Sequence, residues 1–368
     1  FTNTAMKQTL IFGSGKFKKL GEISRDLGFT RVLLVSDRDM LTTPYVDQAC
    51  KDLTTFGLSV EVFSNFSQNP DSAMVEAGRS FAEPLGIDSV IGLGGGSSMD
   101  CAKGINIVLN NGGTMSDYRG YGKVKKPLLP MIAVPTTAGT GSEAQSYTLI
   151  SDSHTHAKMA CGDHKLTFNI AILDPELTFT QPNQATAASG YDAISHAVET
   201  WVTTRRTPLS ALLSREAWRL LSENYERVLE VPDDISARTG MLLGAHFAGS
   251  AIEHSMLGAT HACANPLTAR YGTVHGVAIG LLLRHVVQWN ASDSNGTALR
   301  YKELDRDLPE KLARFARSAE FPLGLQASGI SPDDLNELAA EAATQWTGTF
   351  NPRTFDVHGA RSIYELAW

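Results

Sequence analysis

Two short stretches in the second half of the chain carry residues able to do chemistry together. In Gly190-Tyr191-Asp192-Ala193-Ile194-Ser195-His196-Ala197-Val198-Glu199, an aspartate and a histidine stand four residues apart. On a helix Asp192 and His196 stack on one face and reach a common ion. Taken alone, such a pair usually reads as a helix-surface ion pair of small worth. The second stretch shifts the weight. His261, in Gly258-Ala259-Thr260-His261-Ala262-Cys263-Ala264-Asn265, and His275, in Gly272-Thr273-Val274-His275-Gly276, lie among small and apolar residues. A lone imidazole there finds few partners beyond a backbone carbonyl. Asp192, His196, His261 and His275 together make a set of three nitrogens and one oxygen. That set suits Fe(II) or Zn(II) with a position left open for a substrate oxygen, and does not suit a closed structural site of cysteines. Glu199 is either a partner of one of these ligands or a plain helix neighbour. The other histidines offer less. His154, His156 and His164 fall in a polar stretch and read as exposed, His246, His254 and His285 read as packing or interface residues, with lining of the cleft as the lesser alternative for His246 and His254, and His358 has no assignment.

The first half of the chain offers an anion site. Ser89-Val90-Ile91-Gly92-Leu93-Gly94-Gly95-Gly96-Ser97-Ser98 runs an apolar strand into three glycines and a helix start. Glycines let backbone N–H groups approach an anion without a Cβ in the way, and the helix turns its positive end to the same place. A tight turn with glycines for packing alone is the alternative, although three in a row exceed that need. The common dinucleotide fingerprint puts its glycines in the first βα unit and an acid about 20 residues later. Here the acid candidate, Asp37 after the run 31–36, precedes the glycines, so a nucleotide would span two strand ends. Its carboxylate would accept from ribose hydroxyls and repel a 2′-phosphate, favouring NAD over NADP, or it would simply cap a turn. A second loop, Pro135-Thr136-Thr137-Ala138-Gly139-Thr140-Gly141, follows another apolar run and carries hydroxyls suited to phosphate or ribose.

These residues need two kinds of support. Apolar runs at 31–36, 58–63, 88–93 and 131–134 alternate with amphipathic stretches, which predicts βαβ units and a mainly parallel sheet. Runs at 145–150 and 169–173, joined by a polar loop over 151–164, predict an antiparallel edge. After Asp174-Pro175 strand-like runs cease and helical patterns follow, broken at 205–208, at 231–233 and at Pro266. The expected organisation is an α/β nucleotide-binding domain over 1–180 and an all-helical, metal-binding catalytic domain over 181–368. The length of 368 residues suits two domains. A net charge of -7, with no Lys/Arg-rich stripe, argues against nucleic acid or an anionic membrane as partner. No apolar stretch reaches the ~20 residues of a membrane helix, and Cys50, Cys101, Cys161 and Cys263 form no paired spacing, so reduced thiols and a cytoplasmic location are expected.

Taken in order, these motifs resemble the iron-containing (group III) alcohol dehydrogenase family, of the dehydroquinate synthase-like fold. The resemblance rests on Asn69-Pro70, Gly94-Gly95-Gly96-Ser97, Pro135-Thr136-Thr137-Ala138-Gly139-Thr140, Asp174-Pro175, Asp192-Ala193 through His196-Ala197 and Glu199, and His261 with His275-Gly276. It implies a metal-dependent enzyme that moves a hydride between a small alcohol, aldehyde or ketone and NAD(H), with Asp192, His196, His261 and His275 as ligands of Fe(II) or Zn(II). Asp37, Asn69, Gly94, Gly95, Gly96, Ser97, Thr136, Thr137, Thr140 and Lys158 would then hold the dinucleotide, in a homodimer or larger assembly. Within the same fold, a hydroxyacid-oxoacid transhydrogenase or a metal-dependent lyase or cyclase is the alternative. The chain departs from many relatives at Asn265, where they carry a histidine four residues after the third ligand. An amide there orients a substrate but exchanges no proton near neutral pH.

Overall fold

The computed structural model describes residues 8–155, 157–294 and 296–368. His156 lies outside the described residues. Two compact units emerge: the chain up to Thr137 with Ser142–Thr180, and Ala138–Gly141 with Gln181–Trp368.

The first unit is a wound sheet. Strands β1 (Thr9–Phe12), β2 (Arg31–Val35), β3 (Ser59–Phe63), β4 (Ser89–Gly94), β6 (Met131–Pro135) and β9 (Ile170–Leu173) lie parallel in the order β1-β9-β6-β4-β2-β3. Both faces are covered, which is why β2 and β4 read as unbroken apolar runs rather than alternating ones. Val32, Leu34, Ile91 and Leu93 pack with residues of α1 (Leu20–Asp26) and α2 (Tyr45–Thr55). Leu33, Val35 and Val90 face the other way, toward α3 (Ser72–Ala82) and α4 (Gly96–Asn111). Each such side chain, withdrawn from water, contributes about 1.5–3 kcal/mol.

A small second sheet joins β5 (Gly120–Tyr121), β8 (Lys158–Gly162) and β7 (Tyr147–Ser151) in the order β5-β8-β7. Here the structure corrects the sequence reading. The stretch 151–164 is not all loop, because β8 lies within it and pairs antiparallel with β7. The run 169–173 supplies a parallel inner strand between β1 and β6 instead of an edge.

Helices build the second unit: α5 (Asn183–Val202), α6 (Pro208–Glu230), α7 (Ile235–Glu253), α8 (Ala259–Tyr271), α9 (His275–Ala291), α10 (Thr297–Leu304), α11 (Leu308–Ser318), α12 (Leu335–Ala343) and α13 (Val357–Ala367). Thr207 and Asp234 cap α6 and α7 by accepting backbone N–H bonds, so the expected breaks at 205–208 and 231–233 are real helix starts. Pro266 breaks nothing: it sits inside α8. α5 is buried along almost its whole second half, from Gly190 to Val202.

Candidate active site

α5 carries Asp192, His196 and Glu199 at one-turn intervals. α8 brings His261 and α9 begins with His275. Gly276 is what lets α9 start there, since a Cβ at that position would lie 2.9 Å from Ala188 Cα and press on the Ala188 carbonyl.

The four side chains converge. His196 Nε2 and His261 Nε2 stand 3.1 Å apart, and Asp192 Oδ1 lies 3.4 Å from each and 3.7 Å from His275 Nε2. Ligand atoms of Asp192, His261 and His275 all fall within 4.8 Å of one another, with His196 completing the group through its contacts to the first two. The rings of His196 and His261 stack at 4.9 Å and 22°. Asp192, His196 and His261 are 5–7% exposed against 25% for His275, so approach is from the His275 side.

Glu199 answers the question the sequence left open. Its Oε2 accepts from His261 Nδ1 at 2.5 Å, while Oε1 accepts the Thr260 N–H at 2.7 Å in the first turn of α8. With Nδ1 donating to a carboxylate, a neutral His261 ring turns its lone pair outward on Nε2, as metal-binding imidazoles do.

The residues fit a cation. Asp192 Oδ1 is buried and makes no hydrogen bond among the described residues, a costly arrangement for a carboxylate oxygen unless positive charge meets it. Burial alone would raise its pKa, yet the imidazoles around it, His196 foremost, hold it well below the usual carboxylate range. Burial keeps His196 neutral, at about 4. It opposes charge on His261 as well, but Glu199 and Asp192 outweigh it and push that ring up to about 9. Two carboxylates thus draw positive charge to a point lined by ring nitrogens, a donor set that a divalent ion would fit.

Asn265 lies one turn beyond His261 on α8, partly exposed between buried neighbours. Its Nδ2 donates to Gln345 Oε1 at 3.0 Å. Gln345 is absent from any sequence motif, being 80 residues away.

In the first unit, Asp37, Gly94, Gly95, Gly96, Ser97 and Thr136 lie at the carboxyl ends of adjacent parallel strands, whereas Thr140 and Lys158 lie elsewhere. The chain passes from β2 outward to β3 through α2, then back to β4 on the other side of β2 through α3. This reversal opens a crevice between the ends of β2 and β4, where ligands of such sheets bind. Asp37 follows β2, and Gly94, Gly95 and Gly96 join β4 to α4. Gly94 has φ 140°, and a Cβ there would crowd Ser98 and stand 3.3 Å from Asp37 Oδ2. Asp37 does cap a turn: Oδ1 accepts the N–H groups of Asp39 and Met40 at 3.1 and 3.2 Å, and Oδ2 accepts from Ser98 Oγ at 3.0 Å. Ser98 was missed because a lone hydroxyl in a helix start carries no signal.

Asn69, with φ 54°, donates its N–H to Ser97 Oγ at 3.1 Å. Thr136 points its hydroxyl to Met40 Sδ at 3.5 Å, and Thr137 lies 3.4 Å from where a Gly95 Cβ would be. Thr140 is exposed and belongs to the helical unit. Lys158 opens β8 opposite Ser151, where its charge reaches buried Asp100. Among the other histidines, His154, His164, His254 and His358 are exposed, and His246 and His285 are buried.

Known proteins share this architecture. Residues 7–175 match the family model of the iron-containing alcohol dehydrogenases, and 186–368 match that of the C-terminal part of the same family. The NAD-dependent methanol dehydrogenase of Bacillus methanolicus is 32% identical over 100% of both chains. The 1,3-propanediol dehydrogenase of Citrobacter freundii is 32% identical over 90% of this chain and 81% of its own. Among solved structures, a 1,3-propanediol oxidoreductase superposes with a TM-score of 0.93 at 29% identity, covering 98% of each chain. An alcohol dehydrogenase from Oenococcus oeni superposes at 0.94 and 27%, covering 99% of each. The chain belongs to the iron-containing alcohol dehydrogenase family. It is therefore an enzyme, an oxidoreductase that interconverts alcohols and their carbonyl partners.

Proposed function

We propose that the helical unit holds one divalent ion, Fe(II) or Zn(II), on Asp192, His196, His261 and His275, and that the sheet unit holds NAD. The enzyme then oxidises small primary alcohols or diols, or reduces the matching aldehydes. The observation that carries this reading is the meeting of three imidazole Nε2 atoms with a buried Asp192 oxygen that has no hydrogen bond among the described residues. The metal would supply Lewis acidity and the nicotinamide a hydride acceptor.

The chain's own residues do the rest. Glu199 holds His261 in the ligating tautomer. Gly94, Gly95 and Gly96 bare the N-terminus of α4 for a pyrophosphate, and the family resemblance assigns Asn69, Ser97, Thr136, Thr137, Thr140 and Lys158 to the same dinucleotide. Asp37 keeps lone pairs for ribose hydroxyls and repels a 2′-phosphate, which supports NAD over NADP. Asn265, its amide nitrogen held by Gln345, turns its oxygen toward a substrate hydroxyl and aligns it without accepting its proton. The relatives named for methanol and 1,3-propanediol favour short substrates. A cytoplasmic homo-oligomer is part of the same reading.

The test is metal analysis of anaerobically purified protein, with NADH formation from a panel of short alcohols and diols before and after chelation. About one Fe or Zn per chain with chelator-sensitive NADH supports the reading. Bound metal without NADH from any alcohol would shift it to the transhydrogenase, and no metal at all would overturn the ligand set.

A further inference from the structure

α8 begins without a cap of its own. Its N-cap is Gly258, which has no side chain to meet the first backbone N–H groups of the helix. Two side chains distant in sequence meet them instead. Glu199 Oε1 accepts the Thr260 N–H, and Asn351 Oδ1 accepts the Ala259 N–H at 3.3 Å across 92 residues of chain. A Cβ at Gly258 would stand 3.1 Å from both of these oxygens. The two acceptors therefore meet at this one residue, shortly before His261.

Asn351 is 6% exposed, and its amide is fully engaged. Nδ2 donates to Asn290 Oδ1 and to the Arg353 carbonyl, both at 2.8 Å, while Oδ1 also accepts from Asn290 Nδ2 at 3.2 Å. A backbone N–H on one side and a backbone C=O on the other fix which way the amide faces. Asn290, near the end of α9, is itself buried and donates to Tyr301 Oη at 3.1 Å. Arg353 holds the same helix end, donating to the Trp289 carbonyl at 2.5 Å and to Ser292 Oγ at 3.0 Å. Phe350 reaches a third helix. Its carbonyl accepts the Thr204 N–H at 2.8 Å and the hydroxyls of Thr203 and Thr204 at 3.1 Å, just past the end of α5. Residues 350–353 thus bond to the ends of α5, α8 and α9, the three helices that bring Asp192, His196, His261 and His275 together.

We propose that Asn351 is a positioning residue for the metal ligands. Tied to α9 through Asn290, it sets where α8 begins and so where His261 stands against Asp192 and His196. This inference rests on the ligand set proposed above. A buried amide bonded in this way has few alternative placements, since each bond lost leaves an orphan group at a cost of about 1–3 kcal/mol. His261 follows Ala259 by two residues, so a shift of that first turn moves its ring.

Co(II) is the probe, because its visible absorption bands report ligand geometry. Chelated protein is reloaded anaerobically with Co(II) for the parent, for Asn351→Ala, and for Leu221→Ala, a buried lesion on α6 that faces Gly244 of α7. Asn351→Ala should shift the bands and bind Co(II) at least about tenfold more weakly in competition with a chromophoric chelator. Leu221→Ala should lower the melting temperature by as much or more and keep the parent's bands and affinity. If Asn351→Ala gives no cooperative melt, Asn290→Ala, which removes two of the bonds to Asn351, replaces it with the same expected result. Parental bands and affinity in the folded variant would overturn the positioning role and leave the ligand set standing. Equal changes in Leu221→Ala would overturn it too, by reducing the effect to general loosening. No Co(II) uptake by the parent would overturn the ligand set itself, and this inference with it.

Discussion

Glu199 spends both its oxygens on α8, one on the His261 ring and one on the Thr260 backbone N–H beside it. Glu199→Gln should therefore lower metal affinity by roughly 10- to 100-fold, read as metal retained after dialysis against a weak chelator, with dinucleotide binding unchanged. His261→Ala should remove both metal and turnover while leaving dinucleotide affinity within about twofold. Retained turnover in that variant would dismiss the ligand assignment. Gln345→Leu frees the Asn265 amide and should raise KM for the preferred alcohol roughly fivefold, the worth of one neutral hydrogen bond, at unchanged metal content. An equal fall in kcat alone would argue that Gln345 serves only to pack 346–350 against α8. The grouping of Asp192, His196 and Glu199 on one side of α5 was legible because helical spacing dictates it. Gln345 and Ser98 were not, since their roles come from tertiary approach and their types are common on any surface.

Glycines decide how closely elements meet. Gly276→Ala would drive α9 off α5 at Ala188 and carry His275 with it. A loss of about 1–3 kcal/mol in stability is expected for such overpacking, together with weaker metal binding, both measurable by melting with and without added metal. Gly94→Ala acts in the other unit, where positive φ and the crowding of Ser98 forbid a side chain. It should weaken dinucleotide binding by more than about tenfold, followed by NADH fluorescence, with metal content intact. β2, β4 and β6 were readable because burial on both faces makes long apolar runs, whereas β1 was not singled out and the run of β9 was expected at an antiparallel edge. β8 was not, since Lys158-Met159-Ala160-Cys161-Gly162 has one small residue after another and no β-branched one. Pro266 misled as a helix breaker because its backbone cost of about 3 kcal/mol is outweighed within the buried surroundings of α8.

At the level of the whole molecule, stability depends on what is bound and on pH. Stripping the metal should lower the melting temperature by mass action without abolishing NADH binding. A concerted loss of both would contradict two separate binding units. Burial first, and then neighbouring Arg284, hold His285 down from 6.5 to about 4. Between those values the unfolded chain takes up a proton that the folded protein refuses, so stability falls as pH drops from about 6.5 to about 4. His285→Asn should flatten that decline in chelated protein, seen as urea midpoints at pH values spanning the window. A slope equal to the parent's would remove His285 from the account.

The residues Ala138–Gly141 belong with the helices although the chain on either side of them belongs with the sheet. Gly141, with φ 61°, would push a side chain to 2.6 Å from Gly249 Cα, and a Cβ at Gly139 would lie 2.7 Å from Ser189 Cβ. The polypeptide therefore crosses from one unit to the other three times, and no single cut yields two whole pieces. A gene truncated to encode 181–368 would leave the Gly249 seat on α7 and the Ser189 seat on α5 unfilled. Inheritance of this helical half as an independent cassette is thereby discouraged: a recombination that swapped it would have to bring a compatible four-residue insert from the other half along.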